Sequence, residues 1–374
     1  MWKIPLFKPN YTKEDEEAVL HVLRNGWLAM GEKTERFEVE FSKYLGESVS
    51  SVALSNCTAA LHIALLCAGV GPGDEVLIPA STFVADYNVV KLCGAEPILV
   101  DAESLLNWNM STVDLENKIT KKTKAVIAVH FAGYPFSENV VKIAKQHNLL
   151  LIEDTAHAVG ASRNGKKCGT LGDIAAFSFF ANKNLAVGEG GMFVTQNTDF
   201  TEKAKLIRSH GMSKLPYDRF RGDGKTYDVL EPGLNYRICE FSSSLGLVQL
   251  GILDENNERR KKLTEQYNTL LKNTDLIIPF TSVEDDVEPA YHIYPVLLPE
   301  TYDREAVIDK LKEKGIQVSI HYPSLQSFTL YANLKKQNTS VSDTISKRVI
   351  TLPLYPSMQG DDVELVADEL IKCL

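Results

Sequence analysis

Ile174-Ala-Ala-Phe-Ser-Phe-Phe-Ala-Asn-Lys-Asn-Leu-Ala-Val-Gly-Glu-Gly-Gly-Met192 is an apolar strand-like run, then a lysine, then a glycine-rich turn. Upstream, Leu149-Leu-Leu-Ile-Glu-Asp-Thr-Ala-His-Ala158 has the pattern of a buried strand that ends in an acid. Outward from these two runs, strands and helices alternate. Strands are expected at Ser51–Ser55, Glu75–Pro79, Pro97–Asp101, Lys124–His130, Leu149–Glu153 and Gly191–Thr195. Between them fall helices at Thr58–Ala68, Phe83–Cys93, Val113–Ile119, Glu138–His147 and Asp199–Ser209. Alternating units of this kind build an α/β fold with a mostly parallel sheet covered by helices.

Two amphipathic helices precede the sheet. One covers Lys13 to Arg24, with Thr12 as N-cap and Gly26 beyond its end; the other covers Thr34 to Tyr44, closed by Gly46. A polar, glycine-containing loop spans His210 to Pro232, and a long helical pattern runs from about Glu240 to Asn273. The remainder reads as a smaller α/β unit. It has strands at His292–Leu298 and Ile316–Ile320, and helices at Arg304–Lys314 and Asp361–Cys373. The chain has 374 residues, more than a single core usually supports, so two domains are expected. We place them at 10–250 and 251–374, with segment 1–9 packing nearby.

Composition excludes several classes. Net charge is −9, from 40 basic and 49 acidic residues, and no basic block is present, which argues against nucleic-acid binding. The six cysteines are scattered without a CxxC pair, so neither a metal site nor a disulfide framework is expected. No apolar run reaches bilayer length, and the N-terminus carries no apolar signal region, so the expected location is the cytoplasm, with no membrane association. No GxxxxGK[ST] or GxGxxG motif opens a βα unit, which argues against ATP or NAD.

Lys183 and Asp154 stand at the ends of the two runs quoted above. Alone, Lys183 reads as a solvated loop lysine and Asp154 as a helix N-cap or a surface ion pair. Together they suit pyridoxal 5'-phosphate (PLP), which needs an amine for its Schiff base and a carboxylate for its pyridine nitrogen. Ser55-Asn-Cys-Thr-Ala-Ala-Leu61 reads as a strand-to-helix turn, and free amides at Thr58 and Ala59 would receive a phosphate there. An ordinary capped helix fits the same residues.

These motifs resemble the DegT-type PLP-dependent nucleotide-sugar aminotransferases, fold-type-I enzymes. The resemblance runs nearly end to end. It rests on Gly26-Trp-Leu-Ala-Met-Gly31, Ser55-Asn-Cys-Thr-Ala-Ala-Leu-His62, Gly71-Pro-Gly-Asp-Glu-Val76, Val129-His-Phe-Ala-Gly133 and Ile152-Glu-Asp-Thr-Ala-His157. It continues in Ser178-Phe-Phe-Ala-Asn-Lys-Asn184, Gly188-Glu-Gly-Gly191, Arg208-Ser-His-Gly211, Asn235-Tyr-Arg237, His321-Tyr-Pro323 and Leu352-Pro-Leu-Tyr-Pro356. The family often carries Gly or Ala where Cys57 stands, and a small thiol fits that place.

The resemblance implies a seven-stranded sheet in the large domain and a smaller C-terminal α/β domain. It makes Lys183 the Schiff-base lysine and Asp154 the partner of the pyridine nitrogen. It sets His157 near the cofactor's phenolic oxygen, Ser178 on its phosphate and Phe83 against its ring. Asn235, with Arg237 beside it, would reach the phosphate of a neighbouring subunit, which implies a homodimer with shared active sites. Trp27, His321 and Tyr322 would contact substrate. The implied reaction moves an amino group from L-glutamate to a nucleotide-linked keto-deoxysugar, a 4-keto-6-deoxyhexose, in amino-sugar and cell-surface glycan biosynthesis. Amination at C3 of a 3-keto sugar and a PLP lyase or dehydratase on the same fold are the alternatives. Relatives that carry histidine at the lysine position are dehydratases, and this chain keeps the lysine.

Overall fold

The computed structural model describes residues 2–46, 48–223, 225–331 and 336–374. Met1 of the N-terminal segment and Gly224 of the 210–232 loop lie outside the described residues. The central sheet holds β1 (Ser50–Leu54), β2 (Glu75–Pro79), β3 (Glu96–Val100), β4 (Thr123–Val129), β5 (Leu150–Asp154), β6 (Ile174–Ser178) and β7 (Gly191–Thr195). Its spatial order is β1-β7-β6-β5-β4-β2-β3. From β6 to β3 all neighbours are parallel, and β7 runs antiparallel to both of its neighbours. The expected seven-stranded, mostly parallel sheet is therefore present.

Helices α1 (Lys13–Asn25) and α2 (Glu32–Leu45) precede the sheet. Then follow α3 (Cys57–Cys67), α4 (Val84–Leu92), α5 (Thr112–Lys118), α6 (Glu138–Gln146) and α7 (Thr198–Arg208). The strands are nearly continuous in apolar residues because helices cover both faces. On one face α3 buries Leu61, Ile63 and Leu65 against Val52, Ile78, Ile127 and Phe193. It is mostly apolar on every side because most of its residues are buried. On the other face, Leu115 of α5 and Val140 and Ile143 of α6 pack on Leu77, Val126 and Leu151. Phe37 and Phe41 of α2 pack on Ala53, Ala175 and Phe177.

The sequence signals at α1 act as expected. Asp15 accepts the Thr12 amide at 2.8 Å, and Gly26 closes the helix at φ 76°. Two expectations need correction. The 240–273 pattern is not one helix: α9 (Glu240–Gly251) and α10 (Leu253–Leu271) meet at Ile252, whose φ −114° and ψ 5° leave the helical region. Gly251, one of two glycines in that stretch, sits at the break, while Gly246 stays within α9. Residues 316–320 do not form a strand. Ile316 bridges Ile4 and Ser319 bridges Thr351, so the segment makes one backbone contact to each side.

Helix α8 (Pro216–Phe220) interrupts the 210–232 loop. Beyond α10 lie β8 (Tyr294–Leu297), α11 (Arg304–Glu313), α12 (Ser340–Arg348), β9 (Val349–Leu352) and α13 (Gly360–Ile371), with β8 and β9 paired antiparallel. Their core is separate and includes Tyr267, Val296, Leu311, Val363 and Ile4 of the N-terminal segment. Among the described residues no helix is long and apolar enough to cross a membrane.

Consecutive strand residues point to opposite faces. That rule separates Glu153 from Asp154 at the end of β5. Asp154 lines a cavity above the sheet, and Glu153 is wholly buried on the other face. There it accepts from the amides of Gly169, Leu171 and Gly172 at 2.7–2.8 Å, and from His130 Nε2 at 2.8 Å. One carboxylate thus fixes the loop between β5 and β6 and the strand that carries Asp154. Glu153→Gln replaces one acceptor oxygen with a donor that faces N–H groups. We expect a loss of about 3 kcal/mol of stability, read as a fall in the denaturant midpoint; an unchanged midpoint would remove Glu153 from this role.

Candidate active site

The cavity measures about 310 Å³ and opens at the C-terminal ends of β4, β5 and β6. Open α/β sheets bind ligands at that edge. Asp154 and Ser178 come from strand ends, Thr58 from the first turn of α3, Phe83 from the entry to α4, and His321 and Tyr322 from beyond α11. Lys183 enters from the turn after β6. The cavity brings these seven expected residues together, with His157 as the eighth.

Lys183 is half-buried, and its accessible part lies along the cavity. Loss of hydration lowers its pKa to about 8, against the opposing pull of Asp154. Asp154 is buried, and burial raises its pKa; the Ala156 amide, which donates to Oδ1 at 2.9 Å, and the charge of Lys183 oppose the rise. The Lys183 turn is anchored by its neighbour. Asn184 donates to the Ala290 carbonyl at 2.7 Å and to Asn257 Oδ1 at 2.8 Å, and its own Oδ1 accepts from His292 Nδ1 at 2.8 Å.

His157 is buried, and burial followed by the Lys183 charge holds its pKa well below the usual imidazole range. It is therefore neutral. Its Nδ1 accepts the Ala132 amide at 3.3 Å, so Nε2 carries the proton and donates to the Tyr322 hydroxyl at 2.9 Å. Tyr322 retains its own O–H as a donor. His321 is pushed down to about 4, by burial first and then by Lys183, and it pairs with Thr351 Oγ1 at 2.9 Å. Phe83 remains 55% exposed although it is a large aromatic, and its ring lies 5.8 Å from that of Tyr322. It presents a free aromatic face at the cavity.

Three expected residues lie elsewhere. The Ala59 amide is not free: it donates to Asn56 Oδ1 at 2.8 Å, because Asn56 caps α3, and Ala59 does not line the cavity. Thr58 alone of the expected amide pair faces the site. Trp27 packs on Tyr217 and Phe220 at 5.3 and 4.6 Å, outside this chain's cavity. Asn235 pairs its backbone with Ser209 and is also absent from the cavity wall. Residues not singled out as ligands also line it, among them Thr82, Asn182 and Glu189. Asn182 Oδ1 is buried without a partner among the described residues, an acceptor left open beside Lys183. Only its place in the Ser178–Asn184 motif hinted at this.

The donor set fits pyridoxal phosphate. An amine of lowered pKa and a carboxylate share one cavity, and a helix N-terminus and a serine stand at its rim. Gly191 shapes that rim: a Cβ there would meet the Asn56–Cys57 backbone at 2.4–2.6 Å, so only bare backbone lets β7 support the turn into α3.

The DegT/DnrJ/EryC1/StrS aminotransferase family is matched over residues 9–371. Spore coat polysaccharide biosynthesis protein SpsC of Bacillus subtilis is 36% identical over 375 residues, covering 98% of this chain and 95% of SpsC. Among solved structures, Spr1654 of Streptococcus pneumoniae in its PMP form superposes at TM-score 0.92, with 28% identity and full coverage of both chains. That protein is also known in PLP and apo forms. Helicobacter pylori PseC, an aminotransferase involved in the biosynthesis of pseudoaminic acid, gives TM-score 0.91 at 27% identity, covering 99% of this chain and 98% of its own. The fold-type-I expectation holds, and the chain belongs to the DegT/DnrJ/EryC1/StrS aminotransferases, whose cofactor is pyridoxal phosphate.

Proposed function

We propose that this chain transfers the amino group of L-glutamate to a nucleotide-linked 4-keto-6-deoxyhexose, giving the 4-amino sugar for glycan biosynthesis. The observation that carries the reading is the convergence of the Lys183 amine and the Asp154 carboxylate in one cavity. The sugar assignment draws support from the relatives: SpsC serves spore coat polysaccharide biosynthesis and PseC the biosynthesis of pseudoaminic acid.

When bound, pyridoxal phosphate supplies the electron sink that makes the donor's α-proton removable. Lys183 holds the cofactor at rest and afterwards moves that proton on its Nζ, a task suited to an amine whose pKa lies near 8. Asp154, ionised, holds the proton of the pyridine nitrogen. Thr58 and Ser178 would hold the phosphate at the rim, and Phe83 would offer its free face to the ring. His157 keeps a fixed tautomer and directs the Tyr322 hydroxyl into the cavity, where Tyr322 and His321 contact the sugar. Trp27 and Asn235 stand outside the cavity of their own chain; Trp27 packs on exposed Phe220, and Val229 and Leu230 of the same 210–232 loop are also exposed. This placement supports a homodimer in which Asn235 reaches the phosphate of the second copy.

Lys183→Ala should abolish turnover, and turnover that survives the change overturns the assignment. Cofactor capture needs the neutral amine. Because the Lys183 pKa is lowered to about 8, the rate at which apoprotein takes up pyridoxal phosphate should rise with pH and level off above about 8. A rate still climbing steeply near pH 10 would mean an unperturbed amine. A panel of nucleotide-linked keto sugars, with glutamate as donor, tests the acceptor. The 4-keto-6-deoxyhexose should give the highest kcat/KM, and preference for a 3-keto sugar would reassign the position. Mixing Lys183→Ala with Asn235→Ala protein under subunit exchange should restore part of the activity, since some heterodimers then hold one intact site. Proven exchange without restored activity defeats the shared site.

A further inference from the structure

Asp86 sits in the first turn of α4, at 0% exposure, and it does not line the cavity. Nothing in the reaction as described uses it. A carboxyl buried to this degree needs a partner for each oxygen. Oδ2 has one: the Thr82 hydroxyl donates to it at 2.6 Å. Oδ1 has no donor among the described residues. The polar group against which Asp86 lies is the carboxyl of Asp154, another acceptor. Two buried carboxyls in contact cannot both stay ionised, and the pair is relieved when one is protonated and donates to the other.

The surroundings decide which carboxyl carries that proton. Asp154 receives the Ala156 amide and feels the positive charge of Lys183, and both favour its ionised form. Asp86 has no ion-pair partner among the described residues. The groups that act on it directly are the Thr82 hydroxyl and Asp154 itself, and the charges of Cys57 and Tyr322 would only add repulsion. Burial, then the Asp154 charge, push its pKa well above the usual carboxylate range. Cys57 Sγ approaches Asp154 Oδ1 at 3.9 Å, and its own thiol is likewise held protonated, chiefly by burial.

We propose that Asp86 is a positioning residue: its carboxyl is protonated, and the O–H donates to Asp154, which orients Asp154 and keeps it the anion that meets the cofactor's pyridine nitrogen. The proposal rests on Asp154 being the pyridine partner. Asp86 itself touches neither cofactor nor substrate. It acts as a neutral donor fixed behind Asp154, away from the protein surface.

Infrared spectroscopy of the full-length apoprotein at neutral pH tests the protonation directly. The difference between wild type and Asp86→Asn should show the deuterium-sensitive C=O stretch of a protonated carboxylic acid, lost in the variant. Absence of that band from the difference spectrum overturns the proposal. The second readout is pyridoxal phosphate affinity, with the pH dependence of the bound cofactor's visible absorption. Asp86→Asn keeps an N–H donor towards Asp154 and should hold Kd within about twofold. Asp86→Val removes the donor and should weaken binding about tenfold, the equivalent of one pKa unit, and move the absorption titration. A purely structural role in holding Thr82 predicts equal damage from both variants, and that result also overturns the proposal. Asp154→Asn, measured in parallel, keeps the two readings apart. Unchanged Kd and absorption there would defeat the pyridine-partner reading, while the infrared result still reports Asp86 alone. Weakened binding there with none in Asp86→Val would defeat the positioning role and leave Asp154 in place. Should Asp86→Val fail to fold, the infrared difference and the Asp86→Asn affinity still decide.

Discussion

The site depends on two opposite charges placed in one poorly hydrated cavity. Asp154 ends a strand buried in the sheet, and Lys183, half-buried, reaches the same cavity from the turn after β6. Either group alone would lose its charge there, because removing an isolated charge from water costs more than shifting its pKa. Together they remain poised. The Lys183 pKa falls only to about 8, since Asp154 resists the fall. The rise at Asp154 is opposed by Lys183 and the Ala156 amide. A lysine that can take and return a proton near neutral pH thus follows from burial and one counter-charge.

Much of the scaffold serves to hold that pair still. Glu153 gathers three amides and His130 beneath β5, while its neighbour Asp154 points the other way. Asn184 ties the lysine turn to Ala290, Asn257 and His292. Arg260 of α10 donates to the carbonyls of His292 and Leu354, which links the same anchor to the second core. The result is a small set of buried and half-buried polar groups tied to one another, with the Arg260 Nε left without a partner among the described residues. Such networks specify geometry well when every member is satisfied.

The strands and the helices between them were legible because their signals are local. Apolar runs of strand length, amphipathic spacing and glycine stops set α1 to α7 and β1 to β7 to within a residue or so. Legibility fell where structure depends on distant partners. Residues 316–320 are apolar and extended, yet Ile4 and Thr351 each offer only one bridge, so no ladder forms. The break at Ile252 hides in a continuous helical pattern because glycine is a weak signal: Gly246 stays helical and Gly251 ends the helix. At the site, the motifs placed Lys183, Asp154, His157, Ser178, Thr58 and Phe83 on one cavity. They misjudged Ala59, because the Asn56 side chain takes its amide and capping competes with ligand binding for the same groups.

Asp86 shows why a support residue escapes sequence reading. An acid in the first turn of a helix has an ordinary explanation, since it suits the helix dipole. Nothing in Phe83-Val-Ala-Asp86 reveals that α4 turns this acid inward, or that the strand end across from it presents a second carboxyl. The sheet order creates that meeting. β4 lies between β2 and β5, and the connection leaving β2 enters α4 at the same edge where β5 ends. A pattern read along the chain sees two unrelated aspartates 68 positions apart. Once β5 and α4 share an edge, electrostatics permits only one of them to be charged, and Lys183 determines which.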